Sequence, residues 1–307
     1  MAMRIEAGAA AAQLKPDGAA LPVSLITALI VLVWYLACLP MNAVLPQLAD
    51  ASGLANRYSI AWGLERPVLP APHQVMSELY HSTLGTGLIR EAAEGWSFNP
   101  RNLLFHAWVT LSAALTGFAI GALLGALLAA AIIHSRVLMM SLMPWIIASQ
   151  TIPILAVAPI VIVALGSVGL TGLIPKSIIS AYLCFFPVAI GMVKGLASPD
   201  SMQLDLMRTY SASRQEVFWK LRWPAAVPFL FAGLKVSVTI SLVGAIVGEL
   251  PTGAQAGIGA RLLSGSYYGQ TVQIWSALFM AAILAALLIA AVTLAERLTL
   301  RSMGALR

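Results

Sequence analysis

The sequence predicts an all-α membrane protein, a six-transmembrane-helix bundle with N- and C-termini cytoplasmic and one short cytoplasmic helical segment set between two spans. Three observations carry this. Hydrophobic residues make up 60% of the chain and charged residues 10%, with a mean hydropathy of +0.88, whereas soluble domains hold about 45–50% apolar residues. A hydrocarbon layer about 30 Å thick takes about 20 apolar residues per helix, and such runs lie at 22–40, 103–133, 138–165, 174–196, 225–249 and 274–296. Basic residues then orient the bundle, because they gather on the cytoplasmic side of bilayers. With the N-terminus inside, the inner segments hold eleven, among them Arg4, Lys15, Arg136, Arg208 and Arg307, while the outer ones hold six: Arg57, Arg66, Arg90, Arg101, Lys176 and Arg261.

Residues 1–21 form a weakly charged leader and 22–40 the first span. Its Tyr35-Leu36-Ala37-Cys38 lacks the leucine expected three places before a lipidated cysteine, so it reads as a membrane anchor. The outer loop 41–102 is long enough to hold structure of its own. Pro70 and Pro72 precede a helical stretch that would place Val75, Met76, Leu79 and Tyr80 on one face, as a ledge for a protein partner or a lid over the bundle.

In the second span Gly117, Gly121 and Gly125 recur every four residues, so they share a face on which a neighbouring backbone approaches closely. That neighbour belongs to the same chain or to a second copy. A four-residue turn, 134–137, leads to the third span, whose Pro144, Pro153 and Pro159 each remove a backbone donor and permit a kink. Bent helices in lipid occur where they line protein or a water-filled cavity. Gln150 and Thr151, midway along, face a substrate path or bond a neighbouring helix.

Between the fourth and fifth spans the chain turns polar. Ser198 precedes Pro199, a good first-turn residue, and Asp200 favours the positive end of a helix dipole, so a helix is expected to start there. Leu206, Met207 and Tyr210 share one face of it, and Ser211-Ala212-Ser213 breaks it. Ser213 with Glu216 then forms a capping box that restarts a helix with Val217, Phe218 and Leu221 on its apolar face. Trp223 ends that piece, and Pro224 with Pro228 begins the fifth span. Lys235 and Glu249 are the ionisable residues expected within that span, where a charge is costly unless paired or hydrated. Glu249 reads equally as a gate or substrate contact and as a helix-end group bonded to backbone amides. Tyr267, Tyr268 and Trp275 either cap a translocation path or form the aromatic belt expected at any membrane interface.

Several functions are excluded or disfavoured. Cys38 and Cys184 both fall in apolar spans and imply neither a disulfide nor a thiolate metal site. The four histidines show no metal-ligand spacing, and no cofactor is expected. No Gly-x-x-x-x-Gly-Lys-Ser/Thr phosphate cradle occurs, and the few polar residues in the spans assemble no nucleophile, base and orienting group, so the chain is not expected to be an enzyme. The net charge of +6 reports topology and anionic headgroups rather than nucleic acid.

The polar segment resembles that of the integral membrane permeases of binding-protein-dependent ABC importers, sulfonate, taurine and nitrate type. Asp205, Arg208, Ser211, Trp219, Pro224 and Pro228 occupy the places of that family's pattern, followed by Ala232-Gly233-Leu234-Lys235 and Gly248-Glu249. The departures are Ser211 where glycine is usual, Leu206-Met207 where small residues are usual, and Trp223 before the proline. The likeness continues in 111–125 and 143–159 and spans residues 65–300.

The resemblance implies a permease core at 103–300, with a coupling segment at 198–224 and a cytoplasmic tail at 301–307. In the coupling segment Asp205, Leu206, Met207, Arg208, Tyr210, Ser211, Ser213, Glu216 and Pro224 would engage separate ABC ATPase subunits. It further implies a substrate-binding protein, a homodimer of permeases and the bacterial inner membrane, with a path or gate drawn from Gln150, Glu249 and Tyr267. The region 248–269 looks more like the branch importing riboflavin or pyrimidine precursors than the sulfonate branch. An ion-coupled secondary transporter using Glu249 should show repeated halves, and none is visible. The coupling component of a vitamin importer normally has two arginine-bearing coupling helices, against one here.

Overall fold

A computed structural model describes residues 20–49, 53–92, 95–251 and 254–304. The leader up to residue 19 and the final residues 305–307, with Arg4, Lys15 and Arg307, lie outside the described residues.

The first span forms α1, Ala20–Asn42. The outer loop folds into α2, Pro46–Ala49, α3, Leu54–Gly63, and α4, Pro72–Tyr80, which runs into a π-helical turn at His81–Gly85. A hairpin of β1, Ile89–Ala92, and β2, Gly95–Phe98, follows, pairing Ile89 with Phe98 in antiparallel register. The hairpin was not legible in the sequence.

The remaining helices are α5, Leu103–His134, α6, Arg136–Ser149, α7, Ile154–Ser167, and α8, Leu173–Leu196. They are followed by α9, Ser201–Thr209, α10, Arg214–Val217, α11, Trp223–Glu249, α12, Ile258–Tyr267, and α13, Thr271–Ser302. Among the described residues five helices are long and apolar enough to cross a bilayer, six if the α6–α7 pair counts as one span.

That pair is the third apolar run, bent far more sharply than a proline kink. The chain bends by 97° between α6 and α7, at Pro153, while Pro144 and Pro159 sit inside helices. Tyr182 Oη on α8 donates to the Ser149 carbonyl at 2.5 Å, supplying a partner that the broken ladder lacks.

The core is a trio in which α8 packs along both α5 and α11. The glycine face of α5 meets α8 of the same chain. A Cβ at Gly117 would strike Ser180 and the Ser177 carbonyl, and one at Gly121 would strike Cys184 and the Ala181 carbonyl. At Gly125 it would meet the Phe185 carbonyl. Hydroxyls stitch the trio further. Ser180 Oγ donates to the Ser241 carbonyl at 2.5 Å, Ser241 Oγ to the Ala114 carbonyl at 2.6 Å, and Ser237 Oγ to the Cys184 carbonyl at 2.8 Å. Such close contact between helix backbones is how helices associate where lipid removes the hydrophobic incentive.

Helix α13 lies on α11 and α12, and α4 lies on α13. Within α4, Val75 is buried and Leu79 packs on the core, but Met76 and Tyr80 are exposed; the expected four-residue face is therefore split. The outer loop is pinned by buried Asn42, whose Oδ1 accepts from Val68 N at 2.7 Å and Leu69 N at 3.0 Å. Trp34 Nε1 donates to the Pro70 carbonyl at 2.9 Å, and its ring lies 4.9 Å from Trp275.

Candidate functional site

Two polar assemblies occupy opposite ends of the α5–α8–α11 trio. At the α12 end the first residues of α12 need acceptors, since the leading N–H groups of any helix have no partner within it. Three side chains from the trio provide them. His106 Nδ1 accepts from Gly257 N at 3.0 Å, Thr110 Oγ1 from Ile258 N at 2.8 Å, and Glu249 Oε2 from Gly259 N at 2.8 Å. With Nδ1 accepting, the neutral His106 ring donates from Nε2 to the Pro100 carbonyl at 2.9 Å.

Glu249 is 0% exposed. Its carboxylate also accepts from Thr110 Oγ1, 3.0 Å from each oxygen, and pairs with Lys176 Nζ at 3.3 Å. Lys176 Nζ donates in addition to the Ala256 carbonyl at 3.2 Å. A carboxylate at a helix N-terminus is favoured by the dipole as well as by the N–H groups. Gly257, at φ 128°, and Gly259 leave the room it needs, because a Cβ on either would run into the Glu249 side chain.

Charge counting assigns Lys176 to an outer loop; it sits instead in the first turn of α8 and is buried. Sequence reasoning also missed Thr110 and His106 in this role. The available signal was their i, i+4 spacing at the start of an otherwise apolar helix. Beside Lys176 opens a cavity of ≈ 710 Å³, lined by Trp108, Ser112, Ile162, Leu173, Gln255 and their neighbours.

The three residues expected to form a path or gate lie in different surroundings. Glu249 is enclosed in its network, Gln150 is exposed at the α6–α7 break, and Tyr267 is exposed at the end of α12. Lys235, inside α11, pairs with Glu296 of α13 at 2.5 Å.

At the other end, α9 starts two residues later than the sequence suggests. Asp200, not Ser198, is its cap: Asp200 Oδ1 accepts from Gln203 N at 2.7 Å and Gln203 Oε1 accepts from Asp200 N at 3.2 Å. Ser198 Oγ donates to the Gly195 carbonyl at 2.7 Å and so belongs to the end of α8. Asp205 and Arg208 form an exposed ion pair at 2.8 Å. Met202 (80% exposed), Leu206 and Tyr210 (76% exposed) recur at i, i+4 and i+8 and make one outward apolar face. Met207, expected on that face, is half-buried, and Met202 takes its place.

Helix α9 ends in a Schellman turn. Ala212 N donates to the Met207 carbonyl at 3.0 Å and Ser211 N to the Arg208 carbonyl at 2.8 Å. Ser211 carries φ 53°, the left-handed conformation that glycine adopts without strain. The joint therefore has the geometry a glycine would give it.

Helix α10 opens with a capping box in which Glu216 N donates to Ser213 Oγ at 3.3 Å and Ser213 N to Glu216 Oε2 at 2.9 Å. Lys220 Nζ donates to Glu216 Oε1 at 3.0 Å. The continuous helix from Arg214 to Glu249 has 36 residues, about 54 Å at 1.5 Å per residue, so its charged start projects beyond a hydrocarbon layer about 30 Å thick. There the Ser213 backbone N–H, and secondarily Lys220, hold the Glu216 carboxyl down to about 2.

No break occurs at Trp223. A π-helical stretch, Phe218–Arg222, joins α10 to α11 directly. Arg222 Nη1 donates to the Leu196 carbonyl at the end of α8, 2.6 Å away, and Phe218 lies 5.2 Å from His134 at the end of α5. Among the described residues no cluster of three or more potential metal ligands occurs.

The sequence profile of the family described as binding-protein-dependent transport system inner membrane component matches residues 121–304. A probable ABC transporter permease protein of Haemophilus influenzae is 31% identical over 175 residues, 57% of this chain and 69% of that protein. The riboflavin transport system permease protein RibX of Chloroflexus aurantiacus is 30% identical over 234 residues, covering 76% of this chain and 80% of its own. The formylaminopyrimidine transport permease protein ThiX of Halalkalibacterium halodurans is 31% identical over 154 residues, 50% of this chain and 60% of that protein.

Proposed function

The chain belongs to the binding-protein-dependent transport system inner membrane component family, and from that premise we propose how this permease of an ABC importer works. It is a multi-pass bacterial inner-membrane protein. In our reading its termini and residues 198–224 face the cytoplasm, two copies pair over two ATPase subunits, and a substrate-binding protein delivers a small organic solute to the α12 end. The cavity beside Lys176 is then the outer mouth of the solute path. Resemblance to the riboflavin and formylaminopyrimidine permeases supports a heterocyclic solute, with a sulfonate- or nitrate-type anion as the other candidate.

One observation carries the coupling reading: α9 exposes the Met202–Leu206–Tyr210 face beyond the bundle while the following helix is braced on α8 and α5. An amphipathic helix seated in a groove transmits a rigid-body push through such apolar anchors. When the ATPase closes, the push enters at α9. It passes through Arg222 to α8 and through Phe218 to α5, and those helices, locked at Gly117, Gly121 and Gly125, tilt together.

The ion-coupled alternative gains no support, since the Glu249 carboxylate is committed to Thr110, Lys176 and Gly259. Coexpression with a candidate ATPase tests the proposal. Arg208→Glu with Tyr210→Asp should abolish copurification and uptake while the variant elutes as a folded permease. Uptake left intact by that pair of substitutions refutes it.

A further inference from the structure

We infer that the cavity beside Lys176 binds an uncharged, planar heterocycle bearing carbonyl groups, and that it turns away small anions. This rests on reading the cavity as the mouth of the solute path.

Its volume, ≈ 710 Å³, lies within the range of small-molecule sites, about 300–1,000 Å³. Lys176 is the only ionisable side chain among the described residues that line it. That single positive charge is already matched, because Nζ lies 3.3 Å from Glu249 Oε1 in a carboxylate with no exposure of its own. The site is therefore neutral as built. An anion entering it would give up its water and meet no free cation, while adding a second negative charge beside one ammonium.

A neutral acceptor faces no such conflict. Lys176 has three N–H groups, of which Glu249 and the Ala256 carbonyl take two. The third remains for a carbonyl oxygen in the cavity, where a proton can be shared without importing charge. Trp108 lines the same cavity and is exposed, offering an aromatic face on which a planar ring stacks. The Thr171 hydroxyl and the Gln255 carboxamide, both exposed on the lining, add donors and acceptors for the edge of a ring. The remaining walls, such as Ile162, Leu170 and Leu173, are apolar and suit a ring better than a hydrated ion.

The chain in lipid nanodiscs, without ATPase or binding protein, is tested by saturation-transfer NMR with uracil, riboflavin and methanesulfonate as probes. Uracil and riboflavin should receive saturation and compete with each other, and methanesulfonate should receive none. Trp108→Ala should weaken riboflavin about tenfold, the value of one stacked ring. Glu249→Gln keeps the shape of the side chain but leaves the Lys176 charge uncompensated, so methanesulfonate binding should appear.

Binding of methanesulfonate to the wild-type chain, or no binding of either heterocycle, overturns the inference. Unchanged riboflavin binding in Trp108→Ala also overturns it, and that arm needs no substitution in the buried pair. Because binding is read on the permease alone and coupling on association with the ATPase, each reading fails separately.

Discussion

The Glu249 network makes a quantitative prediction. Removing one member of a buried ion pair strands the other charge in the interior, which costs about 3–5 kcal/mol. In Glu249→Gln the amide still offers an oxygen to Gly259 N or Thr110, but nothing compensates Lys176, whose side chain is 11% exposed. In Lys176→Met the carboxylate keeps its Thr110 and Gly259 donors at 3.0 and 2.8 Å, so the loss falls at the lower end of that range. A chain of this size shifts its melting midpoint by about 2 °C per kcal/mol, so Glu249→Gln should melt about 6–10 °C lower.

The double variant removes both charges and retains the contacts to Thr110 and Gly259. It should lose less than the sum of the single variants, with a coupling of about 2–3 kcal/mol, and so melt about 6–12 °C below wild type rather than the about 12–16 °C that additive losses would give. Detergent-solubilised membrane proteins unfold irreversibly, so the comparison uses one detergent and one heating time. The surviving monodisperse fraction is read by fluorescence-detected size exclusion. Additive losses in the double variant would refute the idea that the pair works as a unit.

Two further outcomes follow from the coupling segment. Ser211 holds φ 53°, a conformation that costs an L-residue about 1–2 kcal/mol, so Ser211→Gly should slow hydrogen exchange at the Ala212 and Ser211 amides without changing ATPase association, while Ser211→Val should speed it. The Glu216 carboxyl is held below its ordinary 4.5, at about 2; a depressed carboxyl stabilises the fold above its unfolded pKa and loses that contribution as pH falls through the folded one. The α10 cap should therefore be indifferent to pH near neutrality and loosen only between about 4.5 and 2. A ¹³C titration of the Glu216 carboxyl checks this, and an ordinary midpoint would show that the capping box does not persist in solution.

The six apolar runs and their approximate ends were legible because lipid demands length and hydrophobicity, and both are local properties. The Ser213–Glu216 box was legible for the same reason, since its partners lie three residues apart. What escaped the sequence depends on distant partners. Three prolines interrupt the third span, and nothing local distinguishes Pro153, where the helix breaks, from Pro144 and Pro159, which helices absorb. Tyr182, which caps the break, lies 33 residues from its acceptor. Lys176 looked like a topology charge because Glu249 is 73 residues away. Met202 is the exception: its i, i+4, i+8 row with Leu206 and Tyr210 is a local pattern present in the sequence.

The two polar assemblies bear on the same mechanical question from opposite ends. At the α12 end, Glu249, Thr110 and Lys176 tie α11, α5 and α8 to one another. At the α9 end, Arg222 and Phe218 tie the start of the long helix to α8 and α5. Between them the glycine face and the serine bonds leave no room for sliding. A trio fastened at both ends and along its length resists internal shear, because packed interfaces shift between discrete arrangements rather than deform continuously. On the proposed coupling, a push at α9 would reach the cavity end as a tilt of the whole trio. The α6–α7 pair, bent by 97°, is held to the trio by few partners such as Tyr182 and would be the element that yields under such a push. Its α7 half carries Ile162 and Gly166 into the cavity wall, so on this reading relative motion of trio and bent pair would change the width of the cavity while the Lys176–Glu249 pair moves with the trio.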